Sequence, residues 1–178
     1  MKIVGRSGIY EPIVSGRVPS SQRISPEGIR APQDSYVPSR DLQYPSPEVT
    51  YQIVKKAIRE RDERTLREVI HPDAMRAIEE QAEANGYNAD FVFQELFNKL
   101  KGVKISQGDK PIATADDQQT YEVKFKKFIF SRTMYVTYKY HPDKGWMLYD
   151  LSPRKPEGRI EPFKELMSEL QAEYPPAD

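Results

Sequence analysis

The chain has 178 residues and a mass of 20.6 kDa, enough for one domain with its own core plus a tail, and too little for two full domains. Lys and Arg total 27 and Asp and Glu total 27, so overall charge gives no reason to expect a nucleic-acid or anionic partner, and any basic surface must be local. The absence of cysteine excludes disulfides, thiol nucleophiles and thiolate metal sites, and two histidines argue against a histidine-rich metal centre. We therefore expect neither metal nor cofactor.

Residues 1–46 hold six prolines, four glycines and eight serines and show no helical or alternating apolar period. Apolar residues nevertheless recur beside the prolines: Ile9, Tyr10, Ile13, Val14, Val18, Ile24, Ile29, Tyr36 and Val37. Arg6, Arg17, Arg23, Arg30 and Arg40 fall between them. This pattern is that of an extended arm that orders along a partner's groove or sheet edge, because ordering so long a segment costs more than its own anchors return. The opening residues carry no apolar run of signal-peptide length, and no stretch approaches the roughly 20 apolar residues of a bilayer span, so a cytoplasmic protein without a membrane span is expected.

From Ser46 the composition changes. Ser46-Pro47-Glu48 combines an N-cap, a proline at the first helical position and an acid in the first turn, and Val49, Ile53, Val54, Ala57 and Ile58 follow on one face. A short helix is expected from Glu63 to Ile70, capped by Asp62 and ended by His71-Pro72. Asp73 is expected to cap a third helix through Met75, Ile78 and Ala82 to Asn85-Gly86. A fourth runs from Ala89 to Lys101 with Val92, Phe93, Leu96, Phe97 and Leu100 inward, closed by Gly102.

The apolar period then falls from 3.6 to 2. Val103–Ser106 and Ile112–Thr114 predict a first strand or bent pair, and Asp116-Asp117 a polar hairpin turn. Tyr121, Val123 and Phe125 alternate before the phase slips to Phe128 and Phe130, which predicts a bulge near Lys126-Lys127. Met134 to Tyr140 form the next strand, His141–Gly145 a turn, and Trp146–Leu151 the returning strand, with Trp146 inward. After a polar linker, a last helix begins at Pro162 and turns Phe163, Leu166, Met167 and Leu170 inward.

Helices followed by long antiparallel strands define an α+β class: N-terminal helices on a strongly bent antiparallel sheet, preceded by an extended arm and closed by a C-terminal helix. Three parts are expected: an arm over 1–46, a domain over 47–152, and a linker with a C-terminal amphipathic helix over 153–178. Ala57-Ile58-Arg59-Glu60-Arg61-Asp62, with Leu66-Arg67-Glu68-Val69-Ile70-His71-Pro72-Asp73, resembles the helix, polar turn and short helix of the nuclear-transport-factor-2-like superfamily. Lys144-Gly145-Trp146-Met147-Leu148-Tyr149-Asp150-Leu151 resembles its closing strand. The resemblance covers residues 47–152 and implies a cone of helices packed into a bent antiparallel sheet. That superfamily spans enzymes, transport adaptors and assembly modules, so the fold does not choose a function.

A cavity in such a cone would draw on Phe93, Phe97, Tyr121, Tyr138, Trp146 and Tyr149. His71, Asp73 and Asp150 are the titratable candidates for catalysis; a helix cap accounts for Asp73, and Asp150 at a strand end is expected to reach solvent or an arginine. No catalytic triad order or Gly-rich phosphate loop is present, and no catalytic residue is assigned. The sequence thus points first to a non-enzymatic assembly or adaptor protein whose arm docks on a protein partner or a second copy. The alternative is a carrier of a small apolar ligand, or an enzyme, using the cavity. A third reading, a single-stranded nucleic-acid binder using Lys124–Arg132, is disfavoured by the neutral total charge. A wide cavity with two or more converging polar groups would favour the ligand; one filled by Phe93, Phe97, Trp146 and Met147 would favour the adaptor.

Overall fold

The computed structural model describes residues 42–174, so all but the last five residues of the expected arm, including its anchors from Ile9 to Val37, lie outside the described residues. The body is α+β, with four helices first: α1 Pro47–Glu60, α2 Glu63–Val69, α3 Pro72–Ala84 and α4 Ala89–Leu100. Five strands follow, β1 Lys104–Gln107, β2 Ala113–Ala115, β3 Gln118–Lys127, β4 Phe130–His141 and β5 Gly145–Ser152, and α5 Lys164–Glu173 closes the chain. The sheet is antiparallel and curved, ordered β1-β3-β4-β5, with β2 also paired to β3.

The helix starts follow the expected chemistry with one exception. Ser46, Asp62 and Asn88 each accept a backbone N–H of the first turn of α1, α2 and α4. The exception is α3, which His71 caps: its Nδ1 accepts the Asp73 N–H at 3.2 Å. Asp73 sits inside the first turn, where its carboxylate meets Arg76 at 2.8 Å and Lys139 at 3.6 Å. Pro72 fixes φ one residue earlier than the Asp73 reading allowed, which moves the cap back to His71. On α1 the buried face is Pro47, Thr50, Tyr51 and Ala57, while Val49 is 37 % exposed. Thr50 is inward because its hydroxyl donates to the Trp146 carbonyl, a polar group that an apolar-periodicity reading passes over.

Three strand expectations change. The phase slip after Phe125 is a two-residue hairpin, not a bulge: Lys127 pairs with Phe130, and Phe128 takes φ 57° at the tip. The register shift lies instead between Thr137 and Tyr138 on β4, where Thr137 faces Asp150 and Tyr138 faces Leu148, leaving Tyr149 as the extra residue. Trp146 is half-buried, in edge-to-face contact with Tyr140 at 5.4 Å, while Met147 beside it is buried. The last helix also begins later than Pro162: Phe163 adopts φ 62° and α5 starts at Lys164.

The outer edge of β5 is covered rather than left open. Tyr44 donates its N–H to the Lys144 carbonyl at 2.8 Å and accepts the Trp146 N–H at 2.7 Å; further along, the His71 N–H donates to the Leu148 carbonyl at 2.8 Å. Tyr44, expected in the arm, is a buried member of the core, and its hydroxyl donates to the Glu68 carbonyl at 3.2 Å. Gly145 permits that approach: at φ 102°, a Cβ there would stand 2.0 Å from the Tyr44 carbonyl oxygen.

Replacing Gly145 with alanine is therefore expected to cost about 2 to 4 kcal/mol, and Tyr44→Ala about 3 to 5 kcal/mol, by urea unfolding. Because both changes loosen the same segment from the edge of β5, one through the Tyr44 backbone and one through its buried ring, the double variant should lose less than the sum of the two. Full additivity would show that Tyr44 and Gly145 act independently.

Candidate functional site

The helices do not fill the concave side of the sheet. Between them lies a cavity of about 440 Å³, within the roughly 300 to 1,000 Å³ of small-molecule sites and far beyond a packing void. Helix α1 contributes Tyr51, Val54 and Ile58, α4 contributes Val92, Phe93 and Leu96, and α5 contributes Leu166, Met167 and Leu170. The sheet floor is Ile105, Val123, Val136, Tyr138, Leu148 and Leu151. Leu148 and Leu151 both face inward although they are three residues apart, because the bulge at Tyr149 resets the alternation.

Polar groups converge at one place in this lining. The Tyr51 hydroxyl donates to the Ile105 carbonyl and accepts the Gln107 N–H, both at 3.2 Å. The Tyr138 hydroxyl donates to Gln107 Oε1 at 2.6 Å. Gln107 Nε2 is buried and, among the described residues, has no hydrogen-bond partner. A buried amide N–H₂ without an acceptor costs about 1 to 3 kcal/mol, so a ligand acceptor brought within reach by a turn of the Gln107 side chain toward the cavity would relieve it. Burial pushes the Tyr138 hydroxyl well above its usual value of 10, so it stays a neutral donor and acceptor at any physiological pH.

The far end of the cavity is charged. Lys99 pairs with Glu173, Arg132 pairs with Glu169 at 2.6 Å, and the Tyr174 hydroxyl donates to Glu95 at 2.7 Å. These contacts fasten α5 and the residue after it to α4 and β4 around the lining.

Of the residues expected in a cavity, Phe93 and Tyr138 line it. Phe97 is buried in the core beneath the Arg61 guanidinium, 5.6 Å from its ring, and is not part of the lining. Tyr121 packs edge-to-face on Tyr138 at 5.8 Å and bonds Gln119, one layer away. Trp146 lies with Tyr140, and Tyr149 lies under Lys139 Nζ at 4.8 Å and against His71 at 5.8 Å. Tyr51 and Gln107 are the two lining residues that complete the polar cluster. Their bonds join positions 54 and 56 residues apart in the chain, and only the closing of the sheet against α1 brings them together.

The titratable candidates go elsewhere. His71 and Asp73 sit with Lys139, His141 and Tyr149, outside the lining of the cavity. His71 spends Nδ1 on the α3 cap, and burial pushes its imidazole below the usual value, only partly offset by the Asp73 carboxylate. Asp150, expected to reach solvent, is buried: its carboxylate accepts the Phe163 N–H at 2.8 Å and so anchors the backbone that turns into α5. Burial pushes its pKa up to about 6, against the stabilising backbone hydrogen bonds from Phe163 and Leu151. Among the described residues, no three His, Asp or Glu side chains are placed to hold a metal ion.

Asp150 and His71 give opposite pH dependences. The Asp150 pKa is higher in the folded chain than the ordinary 3.8, so its contribution to stability is present at low pH and is lost as pH rises from about 4 to about 6. That loss totals about 3 kcal/mol. The His71 pKa is lowered on folding, so its contribution is lost as pH falls through the ordinary histidine range near 6.5. Asp150→Asn keeps an oxygen for the Phe163 N–H and removes the titration. It should gain about 1 to 2 kcal/mol at pH 7.5 and remove the fall in stability between pH 4 and 6. An unchanged slope in urea unfolding across that window would assign it to other groups. No family model matches the chain, and no curated protein matches it, so function is argued from this geometry.

Proposed function

We propose that the body of this protein is a non-enzymatic carrier of a small, largely apolar molecule bearing one uncharged hydrogen-bond acceptor. The observation that carries this reading is the Nε2 of Gln107, without a partner among the described residues, at the end of the lining away from the Lys99, Arg132, Glu169 and Glu173 charges. A ketone, ether, ester or alcohol oxygen would complete it, with the Tyr138 hydroxyl as the neighbouring group. The cation in this part of the lining, Lys55, lies over the Tyr51 ring at 5.5 Å, so the groups beside Gln107 itself are a hydroxyl and an amide, which offset the burial of a charge poorly and favour an uncharged acceptor. Carrier is preferred to enzyme because the hydroxyl beside the Gln107 amide, that of Tyr138, is held neutral by burial and so supplies neither a general base nor a general acid near neutral pH. In this reading the body takes the nuclear-transport-factor-2-like cone, which the laying of helices into a curved antiparallel sheet around a cavity supports. Docking of the arm on a protein partner or a second copy is a separate proposal about residues outside 42–174.

The test uses N-phenyl-1-naphthylamine as an apolar fluorescent probe and medium-chain alcohols, ketones and alkanes as competitors. Alcohols and ketones should displace the probe at lower concentration than alkanes of equal length, by about tenfold, the worth of one buried hydrogen bond. In Gln107→Leu/Tyr138→Phe the orphaned donor and its partner are removed together, so the chain should fold with equal or higher stability while the tenfold preference disappears. Equal competition by alkanes and ketones on the unaltered protein would sink the polar-end reading. Failure of the probe to bind at all would sink the carrier.

A further inference from the structure

The β3–β4 hairpin ends in three consecutive large apolar residues held in water. Phe128, Ile129 and Phe130 are 87 %, 91 % and 73 % exposed. A tight turn at this place is ordinarily given to Gly, Asn or Asp, and here Phe128 itself takes the left-handed conformation at φ 57°. Phe128 and Ile129 stand clear of the cavities described above, Phe130 keeps nearly three quarters of its surface in water, and an apolar cluster this exposed marks an interaction site.

The surroundings of the tip are basic. Residues 99–104 and 124–132 contain Lys99, Lys101, Lys104, Lys124, Lys126, Lys127 and Arg132 and not one acidic residue. The register brings the two stretches together, pairing Lys104 with Lys126 and Ser106 with Lys124 across β1 and β3, while Gly102 lies beside the Lys127 side chain. Lys99 and Arg132 are paired with Glu173 and Glu169 from α5. Among the described residues, Lys101, Lys104, Lys124, Lys126 and Lys127 make no ion pair and are exposed. A neutral chain has thus gathered an uncompensated cationic collar around an apolar point.

We propose that this hairpin is a membrane-docking tip: Phe128, Ile129 and Phe130 enter the interface of an anionic lipid surface, and the lysine collar binds its headgroups. Apolar side chains flanked by bases are what an interfacial anchor requires, because burial of the tip and attraction to anionic lipid add, and neither alone gives stable binding. Single-stranded nucleic acid is the weaker occupant. Bases stack on aromatic platforms across a sheet face, whereas here the apolar residues cluster at a narrow tip whose most exposed member, Ile129, has no ring.

The tip also adjoins the interior. A second cavity of about 250 Å³ is bordered by Lys127, Phe130 and Arg132 from the hairpin, and by Phe125, Leu151 and Leu166, which also line the main cavity. An apolar ligand leaving a membrane at the tip would pass the Arg132–Glu169 pair and meet Phe125, Leu151 and Leu166, which the two cavities share, on the way toward the Tyr51, Tyr138 and Gln107 cluster. This route rests on the carrier reading; docking at the tip does not.

The experiment is sedimentation of the full chain with phosphatidylcholine vesicles, with and without phosphatidylglycerol. Binding should be at least about tenfold stronger to the anionic vesicles and should fall in high salt. Phe128→Ser/Ile129→Ser/Phe130→Ser should lose that binding by about tenfold or more with an unchanged thermal transition, since the side chains removed are already in water. Lys124→Glu/Lys126→Glu/Lys127→Glu should abolish the preference for anionic lipid. Binding to neither vesicle, or wild-type binding by the triple serine variant, overturns the proposal. Capture of a single-stranded oligonucleotide with no vesicle binding overturns it in favour of nucleic acid. Gln107→Leu/Tyr138→Phe, which weakens ligand capture, should bind vesicles as the wild type does. A carrier reading that fails in the displacement assay leaves this result standing.

Discussion

The bulge opposite Thr137 and Tyr138 is the constraint from which the site follows. A regular β5 would have placed Leu148 and Asp150 on one face and Tyr149 and Leu151 on the other. With Tyr149 as the extra residue, Leu148 and Leu151 both enter the cavity, against Tyr138 and Val136. Tyr149 turns instead to His71 and Lys139, and Asp150 shares its pairing with the buried Thr137. From there its carboxylate receives the Phe163 N–H, and that bond sets the left-handed residue that starts α5. One inserted residue thereby makes the cavity floor, places the buried acid and directs the helix that forms a wall of the cavity.

Local rules carried the sequence reading through the helices. Ser46 and Asp62 are side chains whose capping bonds span three residues, so a window of that length contains the evidence for them; Asn88 caps α4 by the same kind of bond, although no cap is named there from the sequence. The same window misplaced the α3 cap, because His71 and Asp73 both fit it and only the proline between them decides. Period-2 alternation found β3, β4 and β5 but could not tell a bulge from a turn at Lys126–Phe130. Both shift the phase by one, and a phenylalanine in the left-handed region defies the residue preferences that identify hairpin turns. Phe93 and Tyr138 were legible as cavity residues from their faces. Gln107 was not, since its importance lies in a missing partner, a property of the folded interior that no spacing expresses.

The buried polar arrangements of the sheet differ in how far they are satisfied. The Thr120 and Thr137 hydroxyls satisfy each other at 2.8 Å, and Asp150 meets a backbone donor, so both add rigidity at bounded cost. The Tyr51, Gln107 and Tyr138 cluster is satisfied except for one donor, and that donor belongs to a residue lining the cavity between the helices and the sheet. Cores built only for stability close such clusters or replace them with hydrocarbon, because a half-satisfied network is worse than none. A cavity that leaves the donor open and remains unfilled by nearby aromatic side chains gives up stability that a ligand would restore on binding.

The equal totals of acidic and basic residues excluded a globally cationic protein, and the structure shows how little that says about any one face. Five exposed lysines gather where β1, β3 and the α4 terminus meet, while Glu169 and Glu173 on α5 are engaged by Arg132 and Lys99. Fields between exposed charges decay within about 8 to 10 Å in physiological salt, so a surface responds to the collar it touches and not to the sum over the chain. Composition therefore decides against long-range steering. Register, by setting β1 beside β3, decides the short-range attraction at the hairpin tip.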